Sequence, residues 1–135
     1  MIRTRTTGLV TALMLLAGCY GDETATAYGA AGKTWVLEEI GGTAAAGRTT
    51  LLFPEPGTIA GETACNSYSA SMTVPYPWFE AGPVATTRRA CPADATASEQ
   101  AYLASLQSMT LIEVLGDTLI LTRDDDTSMI FKAGD

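Results

Sequence analysis

The sequence has no histidine and few cations. The absence of histidine excludes Ser-His-Asp and Cys-His catalysis, the usual zinc ligand sets and the ordinary proton shuttle near pH 7. The 8 Lys and Arg residues stand against 15 Asp and Glu residues, which gives a formal net charge of −7. This charge opposes binding to a phosphate backbone. We therefore expect no nucleic-acid partner, no metal site and no cofactor.

Long apolar runs are also absent, although the chain has enough apolar residues for a core. It contains 135 residues, of which 47% are hydrophobic and 17% are charged. This length suits one domain, and the composition excludes wholesale disorder. The longest apolar stretch, residues 8–16, is too short to span a bilayer, which requires about 20 residues.

The first nineteen residues have the features of a bacterial lipoprotein signal. Arg3 and Arg5 form a basic head, residues 8–16 form an apolar core, and residues 16–19, Leu-Ala-Gly-Cys, resemble a lipobox. In such proteins the cysteine is acylated and becomes the first residue after cleavage. The alternative is an ordinary cleaved signal in which Cys19 has no special role.

The lipobox predicts the organisation of the rest of the chain. Residues 1–18 are the signal peptide, and residues 19–33 are the acylated Cys19 followed by a small, polar, flexible tether. The palmitate-type anchor would hold the protein on a membrane that it does not cross. Tyr20 stands where lipoproteins retained at the inner membrane often have Asp, so we expect an outer-membrane protein that faces the periplasm.

Short apolar segments separated by Gly, Pro and Asp follow from Trp35 onward, a pattern typical of antiparallel β structure. The predicted strands cover residues 34–39, 49–53, 58–61, 67–74, 78–80, 111–115, 118–122 and 128–131. Gly116 and Asp117 predict a tight hairpin turn. Residues 124–126, three aspartates, predict a solvated turn, because their spacing does not match a calcium loop.

One helix is predicted after residue 96. Thr96 and Glu99 fit a capping box, in which each side chain bonds the backbone N–H of the other residue. Tyr102, Leu106 and Met109, with Leu103 beside them, then recur at helical spacing. We assign this stripe to the core.

Residues 34–132 resemble the META domain family, which includes the heat-shock protein HslJ. The resemblance lies in four segments, whose order and spacing are more specific than any one of them: residues 35–37, 61–68, 82–92 and 119–121. It implies an α+β domain over residues 34–133, with a small antiparallel sheet curled into a half-barrel and one packed helix. It implies no catalytic activity.

Cys65 and Cys91 are the remaining cysteines if Cys19 is acylated. An even pair in an exported domain predicts a disulfide. Two alternatives stay open: a reactive Cys91 thiol whose pKa Arg88 and Arg89 would lower, or two unpaired buried thiols. Asn66, which follows Cys65, is interpreted as a structural residue of a turn or bulge.

Tyr68, near the same motif, is also interpreted as structural, with a packed ring and a solvated hydroxyl group. The stretch 74–79 is more unusual, because two prolines exclude a regular central strand and three aromatic residues accompany them. Tyr76, Trp78 and Phe79 could therefore form an exposed aromatic platform. The alternative is a hairpin whose Trp78 or Phe79 fills one end of the half-barrel.

Taken together, these features favour a non-catalytic envelope lipoprotein that acts as a binding or stress-related module. Its partners would be the membrane, through the N-terminal lipid, and an envelope protein or small apolar ligand, and we expect a monomer. The alternatives are an inhibitor of an envelope enzyme and a thiol-based enzyme that uses Cys91.

Overall fold

A computed structural model of the protein describes residues 21–134. The predicted signal peptide and the predicted lipidation site, Cys19, lie outside these residues. None of the helices in the described part combines the length and apolar character that crossing a bilayer requires.

The described chain contains nine strands, one α-helix and one short 3-10 helix. In chain order they are a 3-10 helix Ala25–Tyr28, β1 Thr34–Ile40, β2 Thr43–Ala44, β3 Thr50–Glu55, β4 Gly57–Glu62, β5 Ser67–Met72, β6 Ala85–Thr86, α1 Ala93–Ser108, β7 Leu111–Leu115, β8 Thr118–Thr122 and β9 Ser128–Gly134. The class is α+β, as predicted.

The strands form one antiparallel sheet that is curled but not closed. Their order across the sheet is β6-β5-β4-β3-β1-β9-β8-β7, and β2 pairs with β1 beside this path. Gly116, at φ 59°, forms the predicted two-residue turn between β7 and β8 with Asp117. The predicted turn after β8 is also present, and Asp126 in it has φ 65°.

The core lies on the inner face of the curled sheet, where the helix packs. Strand residues alternate between the two faces, so that Leu119 and Leu121 of β8 are buried while their neighbours are partly exposed. Helix α1 contributes Tyr102 and Leu106 to this core, and Met109 follows directly after it. The predicted core stripe is therefore correct, with Leu103 half-buried at its margin.

The predicted capping box is wrong, because helix α1 begins four residues earlier, at Ala93, after Pro92. Thr96 lies inside the helix, where its backbone N–H donates to the Pro92 carbonyl at 3.1 Å. Proline suits the start of a helix because it has no N–H that would need a partner there. The Glu99 side chain accepts hydrogen bonds from Thr63 and Asn66 in the loop between β4 and β5 instead of bonding the helix N-terminus.

Residues 21–33 differ from the flexible tether that the composition predicts. Ala25 and Ala30 are fully buried in the core. The indole Nε1 of Trp35 donates to the Ala30 carbonyl at 2.9 Å, and Lys33 reaches Asp117 across the β7–β8 turn at 3.1 Å. Small residues pack closely here, so a segment without apolar periodicity is nonetheless ordered against the sheet.

Candidate functional site

The candidate site is the loop of residues 75–79, which lies along the outer edge of β7. The predicted strand 78–80 is reduced to a single bridge between Trp78 and Leu111. The loop still satisfies backbone groups of the edge: Ile112 N–H donates to the Pro77 carbonyl and Phe79 N–H donates to the Thr110 carbonyl, both at 2.8 Å. The two prolines explain why pairing stops there, because each removes a donor.

Tyr76 holds the loop against two other segments. Its hydroxyl group accepts from the Val114 N–H at 3.3 Å, and its own N–H donates to the Glu23 carbonyl at 2.7 Å. Its ring stacks on Tyr28 with a centroid separation of 4.5 Å and an interplanar angle of 6°. Tyr76 therefore attaches both the loop and the N-terminal segment to β7.

Trp78 and Phe79 lie on opposite sides of the loop. Trp78 is 57% exposed, whereas Phe79 is 2% exposed and belongs to the core. Residues paired across an antiparallel bridge have their side chains on the same face, so Trp78 lies beside Leu111, which is itself 39% exposed. The loop thus contains both arrangements that the sequence left open: Phe79 fills the core and Trp78 faces solvent.

A groove of about 400 Å³ lies next to Trp78. The loop and its flanking residues Val74 and Glu80 form one wall, and residues 107–110, at the end of helix α1 and directly after it, form the other. A second groove of about 350 Å³ lies on the β7 side of the loop and includes Leu111. Trp78 lines the first groove, so an apolar molecule bound there would contact its ring.

The second feature of interest is a disulfide between Cys65 and Cys91, with a Cα separation of 5.9 Å. This pairing confirms the disulfide prediction, and the bonded Cys91 carries no thiol. Cys65 lies between β4 and β5, and Cys91 directly precedes Pro92 at the start of helix α1. The bridge therefore ties the start of the helix to the sheet.

A buried polar cluster lies beside this bridge. The Asn66 amide donates to a Glu99 carboxylate oxygen at 3.0 Å, and the Thr63 hydroxyl donates to the other at 2.9 Å. The Asn66 carbonyl oxygen accepts from the Thr87 hydroxyl at 2.9 Å and from the Arg89 N–H at 2.8 Å. Asn66 thus joins three segments through its side chain, in agreement with its predicted structural role.

Tyr68 also has a structural role, but its hydroxyl group is buried, contrary to the prediction that it is solvated. It donates to the Thr50 carbonyl at 2.7 Å and shares a hydrogen bond of 2.6 Å with the Tyr102 hydroxyl. Burial raises the pKa of both phenols well above the ordinary value of 10.0. Both phenols are therefore neutral at physiological pH.

The three aspartates 124–126 are exposed and form a turn. Asp125 accepts from Arg123 Nε at 2.8 Å and from the Thr127 N–H at 3.0 Å. The hydrogen bond from Arg123, more than the bond from Thr127, holds the pKa of Asp125 below its usual range. Within residues 21–134 no group of three or more His, Cys, Asp or Glu side chains is placed to hold a metal ion.

The family of the chain follows from its match to a protein-family model. The family model described as META domain matches residues 29–135, which is more than half of the chain. The chain belongs to the META domain family. No curated protein matches it.

Solved structures show the same fold for this META domain. An NMR structure of a protein from Burkholderia xenovorans has a TM-score of 0.63 at 21% identity, with 98% of this chain and 99% of that chain covered. A second NMR structure has a TM-score of 0.58 at 19% identity, with 75% and 88% covered. At 21% and 19% identity, the similarity to these two structures shows a shared fold.

In this META domain, Glu99 does not have the helix-capping role that its sequence pattern predicted. It is 8% exposed and accepts hydrogen bonds from Asn66 and Thr63, which lie 33 and 36 residues earlier in the chain. A local pattern of Thr, two residues and Glu matched a helix cap. The sequence did contain a signal that Glu99 is buried. Glu99 stands three residues before Tyr102, and this spacing places it on the helix face that the apolar stripe assigns to the core.

Proposed function

We propose that this META domain protein is a non-catalytic envelope lipoprotein, anchored through acylated Cys19, that binds an apolar partner through the surface around Trp78. One observation carries the proposal. The exposed large hydrophobic residues of the described chain are Tyr28, Trp78, Leu111 and Leu115, and all four lie at the β7 edge. Clustered exposed apolar residues are typical of interaction sites, whereas isolated ones are not.

The chemistry of the buried groups supports a binding role over catalysis. The carboxylate of Glu99 is held by Asn66 and Thr63 at a junction of helix and sheet. Cys91 is bonded to Cys65, so nucleophilic catalysis by Cys91 would first require reduction of the bridge. Neither group lies in the groove beside Trp78, whose lining is mainly apolar.

The binding role is tested with a neutral apolar dye, N-phenyl-1-naphthylamine, whose fluorescence rises in an apolar site. We expect the wild-type protein to bind the dye and Trp78→Ala to lose most of that binding. Leu52→Ala removes a half-buried side chain from β3, which β1, β9 and β8 separate from β7; this variant is the control and should bind as the wild type does. Equal dye binding by Trp78→Ala would contradict the proposal.

Anchoring is tested separately on Cys19. We expect Cys19→Ser to accumulate as a precursor that keeps residues 1–18. Removal of residues 1–18, which carry Arg3 and Arg5 but no acidic residue, lowers the formal charge from −7 to −9. The acylated protein should therefore require detergent for release, and salt should have no effect. Normal processing of Cys19→Ser would disprove lipidation.

A further inference from the structure

The N-terminal segment is attached to the same edge that carries Trp78. The Tyr76 N–H donates to the Glu23 carbonyl at 2.7 Å, and Tyr28 stacks on Tyr76. Ala25 and Ala30 are fully buried. From Glu23 onward the chain is thus held by the domain, and Glu23 is bonded to Tyr76, two residues before Trp78.

The predicted lipid is therefore close to this edge. Three residues separate Cys19 from Glu23, and the four Cα-to-Cα steps between them span at most about 14 Å even when fully extended. Tyr76, which bonds Glu23, stands two residues before Trp78. An acyl chain on Cys19 would consequently hold the β7 edge close to the bilayer surface, whereas a free tether of 15 residues would not by itself confine the edge there.

The side chains at this edge suit the boundary between headgroups and acyl chains. Trp78 has a large apolar ring with one polar N–H, the type of side chain enriched at membrane interfaces. Leu111 lies beside it across the bridge, and Leu115 is on the same face of β7, four residues further on. Both leucines are exposed.

The charges indicate which lipids would be accepted. Glu113 lies on the same face of β7 between the two leucines and is exposed. Two cations lie near this edge, Lys33 beside the β7–β8 turn and Arg123 directly after β8, and they are paired with Asp117 and Asp125. Attraction to anionic headgroups is therefore not expected, and contact with the bilayer would depend on apolar burial, which salt does not screen.

We propose that the partner of the Trp78 surface is the bilayer that holds the Cys19 lipid, and that Trp78, Leu111 and Leu115 insert at its interface. This inference rests on the proposed function, since it requires both the lipid on Cys19 and an apolar contact surface at Trp78. The lipid supplies a high effective concentration, so a modest apolar contact suffices to orient the domain.

The test uses the full acylated protein in phosphatidylcholine vesicles that contain lipids with a nitroxide near the headgroup end of the acyl chain. Nitroxides quench tryptophan fluorescence at short range. Trp35 is fully buried, so the signal of Trp78 is obtained by subtracting the emission of Trp78→Phe. We expect Trp78 to lose most of its emission in these vesicles and to keep doing so at high salt.

Two variants separate insertion from mere proximity. A Gly/Ser insertion of twelve residues after Tyr20 would allow the domain to move about 20 Å from the anchor, and we expect quenching to persist with it. Leu111→Glu combined with Leu115→Glu should abolish quenching without a change in melting temperature, because both side chains are exposed. Leu52→Glu, on β3, is the matched control and should be quenched like the wild type.

The outcomes distinguish this inference from the proposed function. If the acylated wild type is not quenched but still binds the apolar dye, the bilayer is excluded as the partner and a protein or small ligand takes its place. If quenching disappears with the insertion, the edge was only held near the membrane, and the inference is overturned. If mass spectrometry finds no acyl group on Cys19, both the anchor and the inference fail.

Discussion

Removal of the disulfide should reduce the free energy of unfolding, and the size of the loss depends on the number of residues between the two cysteines. Cys65 and Cys91 are separated by 26 residues. In the chain-entropy model, a closed loop of this length destabilises the unfolded state by about 3.5 kcal/mol at 25 °C. This is a large share of the stability of a typical domain, about 5–15 kcal/mol. We expect Cys65→Ala combined with Cys91→Ala to unfold at a melting temperature about 15 °C lower.

Urea unfolding at 25 °C, followed by circular dichroism, measures the loss directly. The dependence of the unfolding free energy on urea should rise slightly, because the unfolded chain without a bridge exposes more surface. Cys19→Ser, which keeps the bridge, is the control. A loss below about 1 kcal/mol would refute the loop-closure argument. A loss well above about 5 kcal/mol would show instead that the bridge also holds the native contacts around it.

Three further predictions follow from individual contacts. Gly61→Ala should destabilise the fold by about 2 kcal/mol or more, because its Cβ would overlap the Thr50 carbonyl and lie 2.8 Å from the Tyr68 hydroxyl; urea unfolding measures this. Stability should fall as pH rises above about 10, because burial raises the pKa of Tyr68 and Tyr102 in the fold while the unfolded phenols ionise; unfolding at pH 8 and 11 checks this. Trp78→Ala should cost less than about 0.5 kcal/mol and Phe79→Ala about 3–5 kcal/mol, as measured by thermal unfolding.

Each of the three predictions has a result that would contradict it. Wild-type stability in Gly61→Ala would mean that β3 and β4 separate without cost. For the alkaline prediction, Tyr102→Phe is the control, since it should weaken the pH dependence, and an unchanged profile would assign the loss to other groups. Equal losses for Trp78→Ala and Phe79→Ala would show that the two side chains are not on opposite sides of the loop.

The longer strands and the turns were predictable because their signals are local, whereas the two-residue strands β2 and β6 were not predicted. Alternation in residues 118–122 and the turn at Gly116 depend on neighbours within a few residues, and the structure places β8 and the hairpin as predicted. The start of helix α1 was not predictable in this way. Thr96 and Glu99 satisfied a local rule, whereas the partners of Glu99 are brought to it by the folding of β4 and β5 against the helix.

The candidate site was predictable in part. Two prolines and three aromatic residues indicated an unusual loop at 75–79, but whether Trp78 is buried depends on its bridge to Leu111, which is 33 positions later in the sequence. The order of residues 21–33 was missed because Ala25 and Ala30 carry no periodic pattern. Their burial results from close packing of small side chains against an existing core.

The hydrogen bonds from the 75–79 loop to β7 also bear on self-association. An exposed edge strand offers unpaired N–H and C=O groups on which another chain can add a strand and begin an aggregate. Here the Ile112 N–H and the Thr110 carbonyl are already bonded to the loop, and the opposite edge, β6, has only two residues. The protein can therefore expose apolar side chains at this edge while few of its backbone groups remain free to pair with a strand of a second copy. Growth of fibrils by strand addition is disfavoured for this reason.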